Sequence, residues 1–389
     1  MRARTFRGAW ILPFSMFVGS FAWSFVFVSL PFYIEKMSTV DAAATLRWTG
    51  WILGVSSLVT VVTAPFSARL FGERHPKRSY IWTQLLQGSG FFLMAAARTL
   101  PELFFSRMLL GFMGAVSTFA FIMTGRSGGD VRRGIASIQS GMTLGQVLGP
   151  AVGAVAAARI GFRGSFVAAG LMLWISSAMV AWGVPSREAP KSGHERPQTA
   201  SIREVGTVCL LLLTGSTQVF FLTAILPQVL PTLGVAPDHV LEAAGLLLLT
   251  TGAAAAVGAM IAPRIGEIVG DRRSIVWFLA ASSVGLAALN VASNLWAFGI
   301  LRFLQVLCIA PVFPLSVAAI AQRASGTAIG IVNSSRIAAG FLGPVIATTL
   351  LAWMPPGALY LVLAGMGLTV VLLLRGLSEP GGARKESSV

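Results

Sequence analysis

The chain has 389 residues, of which 55% are hydrophobic and only 11% charged, and its mean hydropathy is +0.78. This composition excludes a soluble globular domain and a disordered chain. The formal net charge of +15 invites nucleic-acid binding, but the cations sit in short loops between charge-free apolar runs, which is the orientation signal of a membrane protein.

In chain order, the basic start Met1–Arg7 precedes an apolar run and so resembles a signal peptide. The run is too long and lacks a small-residue cleavage site, so it reads as an uncleaved first span. A spanning helix needs roughly 20 apolar residues. On that measure twelve spans are expected, at 9–33, 47–71, 79–97, 102–123, 134–158, 164–184, 205–232, 241–263, 274–291, 296–320, 327–352 and 358–375. Pro185 to Glu204 is the one long polar stretch between spans and reads as a linker. The expected units are therefore 1–184 and 205–375, each of six helices, with a linker at 185–204 and a tail at 376–389. With both termini in the cytoplasm, only Lys36, Arg47, Arg98, Arg159 and Arg163 face outward, while the basic clusters of 2–7, 69–78, 126–133, 187–203, 264–273 and the tail face inward. That bias supports an even number of spans.

The chain also reads twice. A shift of 194 or 195 residues lays Arg69, Glu73, Lys77, Arg78, Ser79 and Trp82 on Arg264, Glu267, Arg272, Arg273, Ser274 and Trp277, Arg107 on Arg302, and Gly149-Pro150 on Gly343-Pro344. Two homologous membrane halves commonly enclose a substrate site between them, which points to a secondary transporter. Cys209 and Cys308 both fall inside spans and read as small apolar fillers rather than a disulfide or a metal site.

Three cations fall within spans: Arg107, Arg302 and Arg336. An intramembrane arginine is costly and normally faces the bundle interior or a water-filled cavity. Arg336 has no counterpart, since its mirror position is Met142. Together the three could make a central cavity positive and suited to anionic or zwitterionic cargo, which guanidinium grips bidentately. Trp23 and Ser24 in the first span and Gln218 and Phe220 in the seventh lie mid-span and are candidates to complete the site. No carboxylate lies deep in a span. The candidate proton carriers are Glu35 and Glu242 at span ends, with Asp41 and Asp238 further out and His239 able to titrate near neutral pH.

Three segments carry a family resemblance. The run Arg69-Leu70-Phe71-Gly72-Glu73-Arg74-His75-Pro76-Lys77-Arg78 resembles the loop G-x-x-x-D-R-x-G-R-R of the major facilitator superfamily, with Glu73 for the Asp and with Arg69 and Pro76 for two glycines. Arg107 to Gly111 matches its R-x-x-x-G. Gly141, Gly145, Gly149, Pro150 and Gly153 match the G-x-x-x-G-P-x-x-G pattern that marks its drug/proton antiporters. The chain therefore resembles the twelve-helix drug/proton antiporter branch. The resemblance implies an all-α membrane protein of two pseudo-symmetric six-helix bundles. It also implies a cytoplasmic latch at Arg69, Gly72, Glu73, Arg74, Lys77 and Arg78, and a gating role for Gly141, Gly145, Gly149 and Pro150.

The expected function is export of a small amphipathic organic molecule by proton antiport with alternating access. An anionic or zwitterionic metabolite, or a metal-chelating secondary metabolite, is the alternative cargo. A non-transporting membrane receptor is the alternative class. The expected partners are the small-molecule substrate, protons and the lipid bilayer of the inner membrane, with no nucleic acid. The protein is expected to be a monomer without cofactor or metal. Nothing resembles a nucleophile–base pair or a phosphate loop, so an enzyme is not expected.

Overall fold

A computed structural model describes residues 10–67, 75–112, 116–125, 131–185, 201–321 and 326–376. The described chain is helical throughout. In order, the helices are α1 (Ile11–Phe27), α2 (Leu30–Met37), α3 (Ala42–Ser67), α4 (Pro76–Ala96), α5 (Leu100–Gly111), α6 (Val116–Gly125), α7 (Val131–Gly183), α8 (Ile202–Thr232), α9 (Val240–Val269), α10 (Asp271–Ala288), α11 (Leu295–Ile309), α12 (Val312–Ala321), α13 (Gly326–Leu351) and α14 (Pro356–Gly376).

Ten helical stretches among the described residues are long and apolar enough to cross a membrane. One of them, Arg133–Gly183, is 51 residues long. It is broken at Gly161, where φ is 74° and ψ 166°. Only glycine adopts that backbone without strain, so this stretch is two crossings joined by a sharp turn. Helix α4 spans 21 residues but carries Tyr80, Thr83, Gln84 and Gln87 on a buried face and falls outside the apolar set. With the broken helix taken as two and α4 added, the architecture is consistent with the twelve expected spans.

Local chemistry places the helix starts. Thr99 caps α5 by accepting from the Glu102 N–H, and Asn294 caps α11 by accepting from the Ala297 N–H. The two caps sit at equivalent positions of the repeat. Ser201 and Glu204 form a reciprocal capping box at the start of α8. Each such cap contributes about 1 kcal/mol by satisfying orphan N–H groups.

Several boundaries differ from expectation. The first crossing continues through a break at Val28–Ser29 as far as Met37, so Glu35 and Lys36 stand on a helix rather than beyond it. Helix α8 starts inside the expected linker, whose residues 186–200 lie outside the described set. The loop expected around Arg264 to Arg273 shrinks to Gly270, at φ 89°, because α9 runs on to Val269 and α10 begins at Asp271. Arg264 and Glu267 are therefore helical.

Apolar packing is unequal at the two ends of the molecule. At the end that carries Tyr33, one cluster joins both halves: Phe25, Leu30 and Ile34 pack in the same core as Ile225, Leu226, Leu230 and Leu363. Toward the end that carries Lys77, the clusters are separate. One holds Leu12, Met16, Tyr80, Phe119 and Val180 of the first half, and others hold only residues of the second half. The halves thus seal at one end and part toward the other.

Candidate functional site: a polar cleft between the halves

Where the halves part lies an open cleft of about 240 Å³. Helices α1, α3, α4, α6 and α7 supply its first-half wall, through Trp23, Ser57, Gln84, Gln87, Ser117 and Gln146 among others, while Ile337 of α13 borders it from the second half. Among the described lining residues no side chain is charged. The wall is rich in hydroxyls and amides, with Trp23, Met16 and Met142 as its larger apolar surfaces. Such a mixture suits a small organic molecule with a few polar groups.

Of the expected binding residues, Trp23 and Ser24 line this cleft. Trp23 donates its indole N–H to Gln87 Oε1 at 3.2 Å and packs edge-on against Phe91. Its face carries Arg107, whose guanidinium carbon lies 5.3 Å from the ring centroid. Arg107 itself is 2% exposed and donates to the backbone carbonyls of Ile52 at 3.2 Å and Leu53 at 3.0 Å. Arg302 is fully buried and does likewise, to the carbonyls of Gln218 and Val219, both at 2.9 Å, with Phe221 beneath it. Neither arginine lines the cleft. Each binds a neighbouring helix through consecutive carbonyls, α3 for Arg107 and α8 for Arg302.

Gln218 is also absent from the cleft wall. It accepts from Ser282 Oγ at 2.8 Å, donates to Ser283 Oγ at 3.2 Å and belongs to a buried network with Gln305 and Arg302. Phe220 is half-buried against α13, where a Cβ placed on Gly343 would come within 3.2 Å of it. Arg336 behaves differently from the other two arginines. It is exposed and makes no hydrogen bond or ion pair among the described residues. It precedes the cleft residue Ile337, and its mirror residue Met142 lines the cleft.

Among the gating candidates, Arg69, Gly72, Glu73 and Arg74 lie outside the described residues. Arg78 is exposed. Lys77 Nζ donates to the Ala181 carbonyl at 2.7 Å, near the end of α7. The equivalent Arg272 donates to the Leu374 carbonyl at 3.2 Å, near the end of α14. Both cations thus satisfy terminal helix carbonyls within their own half.

The glycines of α7 bring it against α1 along its length. A Cβ on Gly141 would meet the Pro13 carbonyl, on Gly145 the Phe17 carbonyl at 2.6 Å, and on Gly149 the Phe21 carbonyl at 2.9 Å. This close seam is within the first half. The adjacent face of α7 makes the seam with the second half, where Pro150, Ala151 and Ala154 meet Gly245 of α9. The proton-carrying candidates sit at the Tyr33 end. Glu35 is exposed, and Glu242 lies 3.4 Å from His239, which also pairs with Asp238 at 3.5 Å. Among the described residues no group of His, Cys, Asp and Glu could hold a metal ion.

Sequence reading missed Gln84, Gln87 and Gln146. The available signal was their position: amides in the middle of otherwise apolar spans.

The family profile described as Major Facilitator Superfamily matches residues 12–240 and again 208–388. An MFS-type transporter of Bacillus subtilis, YuxJ, named as uncharacterized, is 26% identical over 339 residues, covering 82% of this chain and 83% of its own. The multidrug resistance protein MdtG of Proteus mirabilis is 23% identical over 304 residues, covering 76% of each chain. Among solved structures, the human organic anion transporter MFSD10 superposes with a TM-score of 0.72 at 16% identity, covering 95% of this chain and 99% of its own. An auto-inhibited peptide transporter of the POT family reaches a TM-score of 0.75 at 10% identity, covering 98% and 99%. The two profile matches overlap at 208–240 and together cover nearly the whole chain, and the helices fold as those transporters do: the chain belongs to the Major Facilitator Superfamily and is a membrane transporter rather than an enzyme.

Proposed function

We propose that the protein exports a small amphipathic organic molecule carrying an anionic group, by proton antiport and alternating access, across a bacterial inner membrane. The observation that carries the charge preference is Arg336, an exposed cation beside the cleft without a partner among the described residues. Among the described residues that line the cleft there is no carboxylate to attract a cationic drug. With both termini in the cytoplasm, the sealed Tyr33 end faces outward and the cleft faces inward, ready to load cargo for export. The name of the MdtG relatives supports efflux as the direction. Glu35 and Glu242, at the sealed end, are the proposed proton carriers. Coupling requires only that proton and cargo favour different members of the inward-open and outward-open pair.

Matched fluorescent amphipaths test the charge preference: dansylglycine, which is anionic, and dansylcadaverine, which is cationic. Arg336→Met should weaken dansylglycine binding. Losing a charge-assisted contact costs roughly 1.5–3 kcal/mol, or about ten- to a hundredfold in affinity. Binding of dansylcadaverine should hold or improve. Equal losses for both would overturn the anion preference. Pumping of dansylglycine into inverted vesicles under a proton gradient tests export itself, and its absence while the ligand still binds would overturn proton-coupled export of this cargo.

A further inference from the structure

We propose that Ser15, Tyr80, Gln84 and Ser176 form a positioning device that holds the side-chain carbonyl of Gln84 toward the cleft as a hydrogen-bond acceptor. It would select cargo bearing an N–H or O–H donor. The inference rests on the reading of the cleft as the cargo site and adds a second chemical requirement to it.

The four side chains are buried, none more than 1% exposed, and they come from three helices. Ser15 Oγ lies 2.7 Å from Tyr80 Oη and 2.7 Å from Ser176 Oγ. Ser176 Oγ–H donates to the Ser15 carbonyl at 3.0 Å. With its one proton spent on the Ser15 carbonyl or on Ser15 Oγ, the Ser176 oxygen is left to accept. Gln84 meets that need: its Nε2 donates to Ser176 Oγ at 2.9 Å and to Tyr80 Oη at 3.2 Å. Both amide protons are thereby used. The amide is fixed with its nitrogen in the network, and its oxygen is left over.

Gln84 Oε1 has no partner among the described residues and is not fully enclosed, and Gln84 borders the cleft. Gln87, one turn on, has no such spare group. Its Oε1 accepts from Trp23 and its Nε2 donates to the Leu110 carbonyl. Gly19 on α1 leaves room for the Gln84 amide, since a Cβ there would stand 3.0 Å from Nε2.

The other half of the repeat shows that helix packing does not need this network. At a shift of 195 residues, Tyr80, Gln84 and Ser176 fall on Ile275, Leu279 and Val371, and all three pack in one apolar cluster with Leu211. The same three-helix junction is thus built twice, once with hydrogen bonds and once with hydrocarbon. A buried polar network is no more stabilising than well-packed apolar groups of similar size. What distinguishes the polar copy is that one of its members, Gln84, borders the cleft.

Dansylglycine and dansylsarcosine make the test. Both carry the carboxylate that Arg336 would bind. They differ in one group, a sulfonamide N–H in the first and N–CH3 in the second. The purified full-length protein should prefer dansylglycine by about tenfold. Gln84→Leu, which installs the residue of the other half, should bring the two affinities level. Tyr80→Phe keeps the ring and removes the hydroxyl that orients the amide. It should reduce the preference without altering any group that faces the cleft, and it serves as the second variant if Gln84→Leu does not fold. A purely structural network would lower the melting temperature in both variants and leave the affinity ratio unchanged, which would overturn the proposal. Equal wild-type affinities would also overturn it, while a dependence of both ligands on Arg336 would leave the anion preference standing. Failure of the wild type to bind either ligand would overturn both readings.

Discussion

Gly50 of α3 and Gly245 of α9 occupy the same seat in two symmetry-related seams. A Cβ on Gly50 would collide with Thr348 and come within 3.0 Å of Val345 Cα and 3.1 Å of the Pro344 carbonyl. A Cβ on Gly245 would come within 2.5 Å of the Ala154 Cβ, 3.1 Å of the Pro150 carbonyl and 3.4 Å of Ala151 Cα. The contacted residues, Pro344, Val345 and Thr348 against Pro150, Ala151 and Ala154, are themselves repeat equivalents. The two halves therefore close on each other through glycines facing the first turn after a helix proline.

Side chains at these seats should act as wedges. Gly50→Val and Gly245→Val each place atoms where the partner helix has backbone, so the sealed arrangement becomes overpacked. The expected result is a shift toward the state open at the Tyr33 end. Labelling of single cysteines introduced on either side of the seam reads the balance. Unchanged labelling would mean that the seam yields without opening.

The glycine face of α7 should respond differently. Gly145→Leu or Gly149→Leu forces α1 and α7 apart inside one half, where backbone atoms already approach closely. Overpacking of this kind costs about 1–3 kcal/mol or more. Membrane abundance and melting temperature should fall together with transport. Normal stability with lost transport would instead place the motion of the cycle between these two helices.

Arg107 and Arg302 should behave as helix fasteners. Arg107→Met removes the two hydrogen bonds that tie α5 to α3, and Arg302→Met removes the two that tie α11 to α8. A hydrogen bond to a charged group contributes about 1.5–3 kcal/mol. Both variants should lose stability and affect ligands of every charge equally, unlike Arg336→Met. A charge-selective effect from either would assign it to the cargo site.

Proton coupling can be separated from binding. Glu35→Gln and Glu242→Gln should abolish transport driven by a pH gradient in proteoliposomes. Exchange of labelled for unlabelled dansylglycine at equal pH should persist, because it needs no net proton movement. Gradient-driven transport that survives both substitutions would exclude these two carboxylates.

The fold was legible in the sequence because the bilayer imposes long apolar runs and the repeat duplicates caps and glycines as well as charges. Thr99 and Asn294 illustrate this, as equivalent caps of equivalent helices. The Arg264–Arg273 segment was misread because clustered cations signal a membrane boundary but not where a helix stops. The site was less legible. An arginine within a span announces a polar partner, yet nothing in the spacing distinguishes helix carbonyls from cargo. That is why Arg107, Arg302 and Arg336 look alike in the sequence, while among the described residues only Arg336 lacks a partner. Gln84, Gln87 and Gln146 are amides within apolar spans, as Gln218 is, and the apolar pattern does not distinguish an amide at the cleft from one buried in a helix junction.

The polar face of α4 also bears on how the protein is made. A helix with Tyr80, Gln84 and Gln87 on one side partitions weakly into lipid by itself. One of its hydrogen-bonding partners, Ser15, is already synthesised when α4 emerges, but Ser176 follows only much later in the chain. The polar face of α4 therefore has its full set of partners only once the second arm of α7 has joined it, and the expectation is that α4 settles in the bilayer together with those partners rather than before them.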